Sequence, residues 1–346
     1  MSAYHHQLAS VLAAVRVHSP TSYSWLGHRQ VVLPTAAARL LAAGVVRAHL
    51  VRALQTRLYQ DFYTSGGPAP VDEHMYGARP CAATASFRTA LAAANSGTGA
   101  REPGWQVYAV EHDRVVVERD GLRLWLAPGE VCPPSGGRPT PGGPVAIRMP
   151  RELASWSTGF YVALGDLGLA PATEEPVLRL YWNLRPDGGP RLLAAATARL
   201  NRAGVPFRLK VASDPALYHR CDAGVLYLPR RRYRAVAGML TELHGELRDT
   251  LDPYTPSFTR RLAPGLALAE DPQDGGSFGL HRCGLLAEGV LRAYEHGAWT
   301  VADRVAVVAD CFRAAGIHVD RPYLDPGSTD DYPSWEAGST VGAGSP

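Results

Sequence analysis

The sequence predicts an α+β fold: a helical and β-meander N-terminal region followed by an α+β domain with a mainly antiparallel sheet. Three observations carry this expectation. Apolar residues recur at helical spacing near the start and toward the end of the chain, short alternating segments lie between them, and one Pro/Gly-rich stretch divides the two halves. At 346 residues the chain exceeds what a single core usually holds, so two domains are expected. The predicted boundaries are an N-terminal region at 1–131, a linker or exposed loop at 132–144, a catalytic-type domain at 145–325 and a disordered tail at 326–346.

The elements follow in order. Leu8, Val11, Leu12 and Val15 are spaced for a helix, and a second helical run extends from Ala36 to Leu54, with Thr35 after Pro34 as its cap. An alanine-rich helix spans about 85–94. Trp105–Val110, Arg114–Glu118 and Leu122–Leu126 read as strands joined by Asp and Gly turns. Cys132–Pro144 holds five prolines and four glycines, a composition that cannot join a sheet. Beyond it, strands are predicted at 159–164, 177–182 and 205–211, with helices at 190–203, around 230–249, near 282–296 and at 301–315. The tail is rich in Gly, Ser, Pro and acidic residues, the composition of mobile chain.

Composition excludes several classes. A net charge of +3 with scattered arginines gives no nucleic-acid-binding patch, and no apolar run approaches the ~20 residues needed to cross a membrane. Met1-Ser-Ala-Tyr-His-His-Gln7 lacks the features of a signal peptide, so a cytoplasmic location is expected. The five cysteines are odd in number and show no Cys-x-x-Cys spacing, which argues against a disulfide framework or structural zinc. Cys221 and Cys283 each follow an arginine, but buried thiols are the simpler reading.

One residue type stands out: of 35 basic side chains, Lys210 is the single lysine. A bias toward arginine explains the loss of lysine from the surface, and a chance survivor is one reading of the remaining one. The other is chemical, because an ammonium gives up its proton when burial and neighbouring cations depress its pKa, whereas a guanidinium does not. Lys210 lies in Val205-Pro-Phe-Arg-Leu-Lys-Val211, whose alternation places Phe207, Leu209 and Val211 on one strand face and Arg208 and Lys210 on the other.

Other polar residues gather in the same half. Alternation in Arg179-Leu-Tyr-Trp-Asn183 aims Arg179, Tyr181 and Asn183 to one side. Tyr218-His-Arg-Cys-Asp222 adds Tyr218, His219, Arg220 and Asp222 in a polar turn. Ser277-Phe-Gly-Leu-His-Arg282 opens a predicted helix, placing N-terminal amides beside His281 and Arg282, an arrangement suited to an anion. Taken singly, each has an ordinary explanation as a surface ion pair, a polar turn or a cap. Together they suit an anionic ligand and a proton transfer.

These segments, with Gly159-Phe-Tyr-Val-Ala-Leu-Gly-Asp166 and Ala263-Pro-Gly265 through Ala269-Glu-Asp-Pro272, resemble the HopA-type effector domain over about 145–300. That domain occurs in type III effectors and beside peptide-modifying kinases in class V lanthipeptide and thioamitide pathways, as in LxmY-like lyases. The resemblance implies a lyase-like domain that removes phosphate from phosphoserine or phosphothreonine of a precursor peptide, leaving dehydroalanine or dehydrobutyrine. It implies Lys210 as base and Arg179, Arg220 and Arg282 on the phosphate. Asn183 and Tyr181 would polarise the amide carbonyl, and His281 would be the general acid, with His219 and Tyr181 as alternatives. Tyr218, Asp222 and Ser277 complete the expected substrate site. No metal or organic cofactor is required. The implied partners are the phosphorylated precursor peptide and a kinase and cyclase of the same pathway, with no nucleic acid and no membrane. The rival expectation is a non-catalytic, effector-like module that binds a phosphopeptide or protein. The N-terminal region is expected to recognise the peptide along the edge of its Trp105–Leu126 strands.

Overall fold

Helix α1 (Ala3–Ala14) opens the chain, and Ser2 caps it by accepting the amide of His5. The chain is described here from a computed structural model covering residues 2–70, 82–153, 157–170, 174–273, 275–333 and 335. Cys81 and residues 336–346 of the expected tail lie outside these described residues. The next stretch departs from the helical expectation: β1 (Val15–Ser19), β2 (Ser22–Trp25) and β3 (His28–Val31) form a three-stranded antiparallel meander. The predicted helix at 36–54 is interrupted, giving the short α2 (Thr35–Ala38) and the longer α3 (Ala43–Leu58), which runs into a π-helical turn at Tyr59–Tyr63. Helix α4 (Ala82–Ala94) follows.

Five strands then form a separate sheet in the order β6-β5-β4-β8-β7. They are β4 (Arg101–Val110), β5 (Val115–Arg119), β6 (Leu122–Leu126), β7 (Val131–Cys132) and β8 (Pro144–Arg148). Trp105, Val107, Val115, Val117, Val131, Val145 and Ile147 close a small core on one face. The Pro/Gly-rich stretch is thus a loop within this sheet, between β7 and β8, rather than a linker between domains.

The larger sheet has seven strands in the order β14-β15-β11-β13-β12-β10-β9, with antiparallel pairing throughout. They are β9 (Glu152–Leu153), β10 (Phe160–Leu164), β11 (Val177–Trp182), β12 (Arg208–Ala212), β13 (Gly224–Pro229), β14 (Arg260–Ala263) and β15 (Leu266–Glu270). Between and after them come α5 (Gly188–Arg202), α6 (Tyr233–Leu247), α7 (Phe278–Glu295) and α8 (Val301–Ala314). This mixed architecture with mainly antiparallel sheets is the predicted α+β class.

The pairing register fixes what each face carries, because opposed residues in an antiparallel ladder share a face. Leu178, Leu180 and Trp182 of β11 lie level with Leu228, Leu226 and Gly224 of β13, and Leu226 in turn with Leu209 of β12. This apolar face packs against α5 and α6: a Cβ on Gly224 would press on Leu184, Leu192 and Trp182, and the Trp182 ring lies 6.4 Å from that of His244. The opposite face carries Arg179 and Tyr181, then Tyr227 and Val225, then Arg208 and Lys210. At one end of it, the π-helical turn and α7 close over Tyr181 through Tyr63 and Phe278. Gly279 is required there, since any Cβ would drive into the Tyr63 ring.

The N-terminal helices are part of this core and do not form a separate body. Leu8, Leu12, Leu50, Leu54, Leu58, Phe62 and Tyr63 sit in one buried cluster with the large sheet, α7 and α8. The physical reason is that α1 and α3 each present an apolar stripe that α7 and α8 cover. The chain end is likewise packed as far as it is described. Tyr332 donates to Glu270 at 2.7 Å and Trp335 to the Tyr233 hydroxyl at 3.1 Å, so the predicted disordered tail contacts the fold at these two residues.

Candidate active site

Lys210 lies on the polar face of β12, between Val162 of β10 and Val225 of β13. Its ammonium sits 3.8 Å from the centre of the Phe160 ring, a cation–π contact. Burial is the main force that pulls its pKa down from 10.5 to about 8; Asp222 opposes the fall, while Arg220, Arg179 and Arg208 add to it. A lysine so placed is deprotonated in roughly one molecule in ten at pH 7.

The arginines around it are held by specific partners. Arg220 grips Asp222 through two parallel bonds of 2.8 and 2.9 Å and donates to the Tyr59 hydroxyl at 3.1 Å. Burial alone would raise the Asp222 carboxyl, but Arg220 and Lys210 outweigh it and hold it below the usual carboxylate range. Arg179 is bound to Asp271, with its Nε at 2.7 Å, and donates to the carbonyl of Gly276 at 2.6 Å. Arg208 and Arg179 flank the Tyr227 ring, at 4.6 and 5.2 Å from its centre. Four cations against two carboxylates leave the face positive, an electrostatic match for a phosphate. Arg220 also lines a cavity of about 270 Å³ whose wall includes Tyr59, Gln60, Thr64, Ser65, Leu217 and His219.

The structure therefore brings Lys210, Arg179, Arg220 and Asp222 together and adds Arg208, Tyr227, Phe160 and Tyr59. Alternation had put Arg208 on the right face, but Tyr59 lies 161 residues from Arg220 in sequence and nothing local marks it. His219 is exposed, with its Nδ1 at 2.8 Å from the Ala216 carbonyl, on the rim of the same cavity.

Other expected site residues are placed in structural work. Arg282 is 1% exposed and spans the carbonyls of Pro322 and Leu324 at 2.7 and 2.9 Å, beside Asp325. It anchors the 322–325 segment. His281 pairs its Nδ1 with Arg282 at 2.7 Å. Ser277 caps α7 by accepting the Leu280 amide. Tyr218 is buried and donates to the Ala212 carbonyl at 2.9 Å, while Asn183 donates to that of Tyr254 at 3.0 Å. Tyr181 is buried edge-on against Tyr63. At the 277–282 motif the Arg282 guanidinium is taken up by the 322–325 segment, which local sequence does not reveal.

Among the solved structures that resemble the chain are two effector proteins. An effector protein from Pseudomonas syringae pv. tomato strain DC3000 aligns at 16% identity and a TM-score of 0.46, over 93% of this chain and 96% of that one. An effector protein from Pseudomonas syringae pv. syringae strain 61 aligns at 16% identity and a TM-score of 0.42, over 80% and 97%. No curated protein matches the chain. Residues 149–324, which hold the seven-stranded sheet and the lysine–arginine face, match the HopA1 effector protein family. The chain belongs to that family.

Proposed function

We propose that the chain is a phosphoserine/phosphothreonine lyase acting in the cytoplasm on a ribosomal precursor peptide, within lanthipeptide or thioamitide biosynthesis. The observation that carries this reading is a half-buried lysine with its pKa drawn to about 8, on a sheet face with Arg179 and Arg208 and beside Arg220 across the Phe160 ring. A site that only bound phosphate would gain from a fully charged lysine. A depressed one suits a base.

In the step itself, neutral Lys210 takes the Cα proton of the phosphorylated residue, and the C–H electron pair becomes the Cα=Cβ bond. The Cβ–O bond breaks, and the phosphate leaves with one added proton as hydrogen phosphate. The products are dehydroalanine or dehydrobutyrine. Arg220, Arg208 and Arg179 neutralise the phosphate charge that grows as the bond breaks. A kinase must supply the phosphorylated side chain, and a cyclase can consume the alkene. Peptide recognition falls to the five-stranded sheet, whose outer strand β6 exposes Leu122 and Trp125 and, among the described residues, is paired on one side only.

The test is Lys210→Arg, which keeps charge but not the removable proton. Mass spectrometry of a phosphorylated Ser/Thr peptide should show loss of one phosphoric acid with the wild type and none with the variant, while calorimetry shows the peptide still bound. Wild-type protein that binds the phosphopeptide and leaves it intact would favour the binding-module reading instead.

A further inference from the structure

We propose, resting on the lyase reading above, that Tyr59 is the catalytic residue that protonates the departing phosphate oxygen. Tyr59 begins the π-helical turn that ends α3, a local distortion that often marks a working site. The wider turn brings two rings to the large sheet. Tyr63 goes edge-on against Tyr181, and Tyr59 stacks on Tyr63 with centres 5.4 Å apart and planes 16° from parallel. The stack fixes the direction of the Tyr59 hydroxyl. That hydroxyl accepts a hydrogen bond from Arg220 at 3.1 Å, and among the described residues no acceptor takes its own proton. It lines the 270 Å³ cavity beside Arg220. An oxyanion held by the Arg220 guanidinium would be the neighbour to which the Tyr59 O–H points.

The alternatives are less well placed. His219 is exposed and its Nδ1 is engaged by the Ala216 carbonyl. His281 faces Arg282, whose guanidinium is committed to the chain end. Burial, with Asp222 adding to it, pushes the Tyr59 hydroxyl up to about 12, which keeps it protonated at every working pH. A weak acid suffices, because the phosphate trianion that would otherwise leave is itself a strong base.

The experiment compares wild type and Tyr59→Phe on two peptides of one sequence, carrying phosphoserine or O-sulfoserine. Sulfate is a tetrahedral anion that the same arginines can hold, yet it departs without needing a proton. The phenylalanine ring keeps the stack on Tyr63. The expected result is a fall in kcat of about 100-fold on the phosphopeptide, with KM changed by less than about threefold and the sulfopeptide rate retained. Equal losses on both peptides would mean that Tyr59 acts by positioning Arg220, and an unchanged phosphopeptide rate would mean that it plays no part. Either result overturns the proposal while leaving the lyase reading intact. A wild type that yields no dehydroalanine overturns both.

Discussion

Replacing Lys210 by methionine should make the free protein more stable and, on the lyase reading, end its activity. The side chain keeps its length and its contact with the Phe160 ring but loses the charge that burial disfavours. A fall in pKa from 10.5 to about 8 corresponds to about 3 kcal/mol of disfavoured charge at neutral pH, an upper figure because the ammonium is partly solvated. The sign follows from where the protons sit. Below about 8 the lysine is protonated in both folded and unfolded chains, and the full penalty applies. Between about 8 and 10.5 the folded protein sheds the proton while the unfolded chain keeps it, so the wild type gains stability as pH rises through this window. Urea unfolding of both proteins at pH 7 and near pH 10 reads the difference, and comparing wild type with variant at each pH cancels the titration of tyrosines and thiols. The expected outcome is a variant more stable by about 1–3 kcal/mol at pH 7, with the gap closing at the higher pH. A variant equal to or weaker than wild type at pH 7, or a gap independent of pH, would refute the claim that the fold holds this lysine against its charge.

Two further outcomes follow from the same geometry. On the lyase reading, kcat/KM for phosphopeptide should rise tenfold per pH unit below about 8 and level off above it, because this ratio reports the lysine of the free enzyme; initial rates across pH 6 to 9.5 check it. A chain starting at Pro144 should fail to fold cooperatively, since it lacks Leu8, Leu12, Leu50, Leu54, Leu58, Phe62 and Tyr63 from the main core. At about 1.5–3 kcal/mol each, these together match or exceed the whole stability of a typical domain, and near-UV circular dichroism with urea titration would show it.

The sequence by itself determined the class of fold and pointed to the lysine at the centre of the candidate site. Lys210 was legible because it is the single lysine and because strict alternation in β12 tells which face a residue occupies without knowledge of its neighbours. The same rule placed Arg179 and Arg208 correctly. It could not reveal β13 and β15, whose residues are buried on both faces and so read as continuous apolar or small runs with no period. Nor did it separate the meander at 15–31 from the helices on either side, since those strands are only four or five residues long.

Only the tertiary structure decided which polar residues line a cavity and which are sealed in the fold. Arg220 and Arg282 each precede a cysteine and look alike in sequence, yet one lines a cavity and the other is sealed under Pro322 and Leu324. The difference lies in segments 40 or more residues away, and such contacts leave no mark on local periodicity. Tyr59 shows the converse: an ordinary residue at the end of a helix, it joins the arginine cluster only because a π-helical turn, packed on Phe278 and Tyr181 through Tyr63, carries it there. Local pattern sets the face a side chain occupies, and long-range packing sets what that face meets.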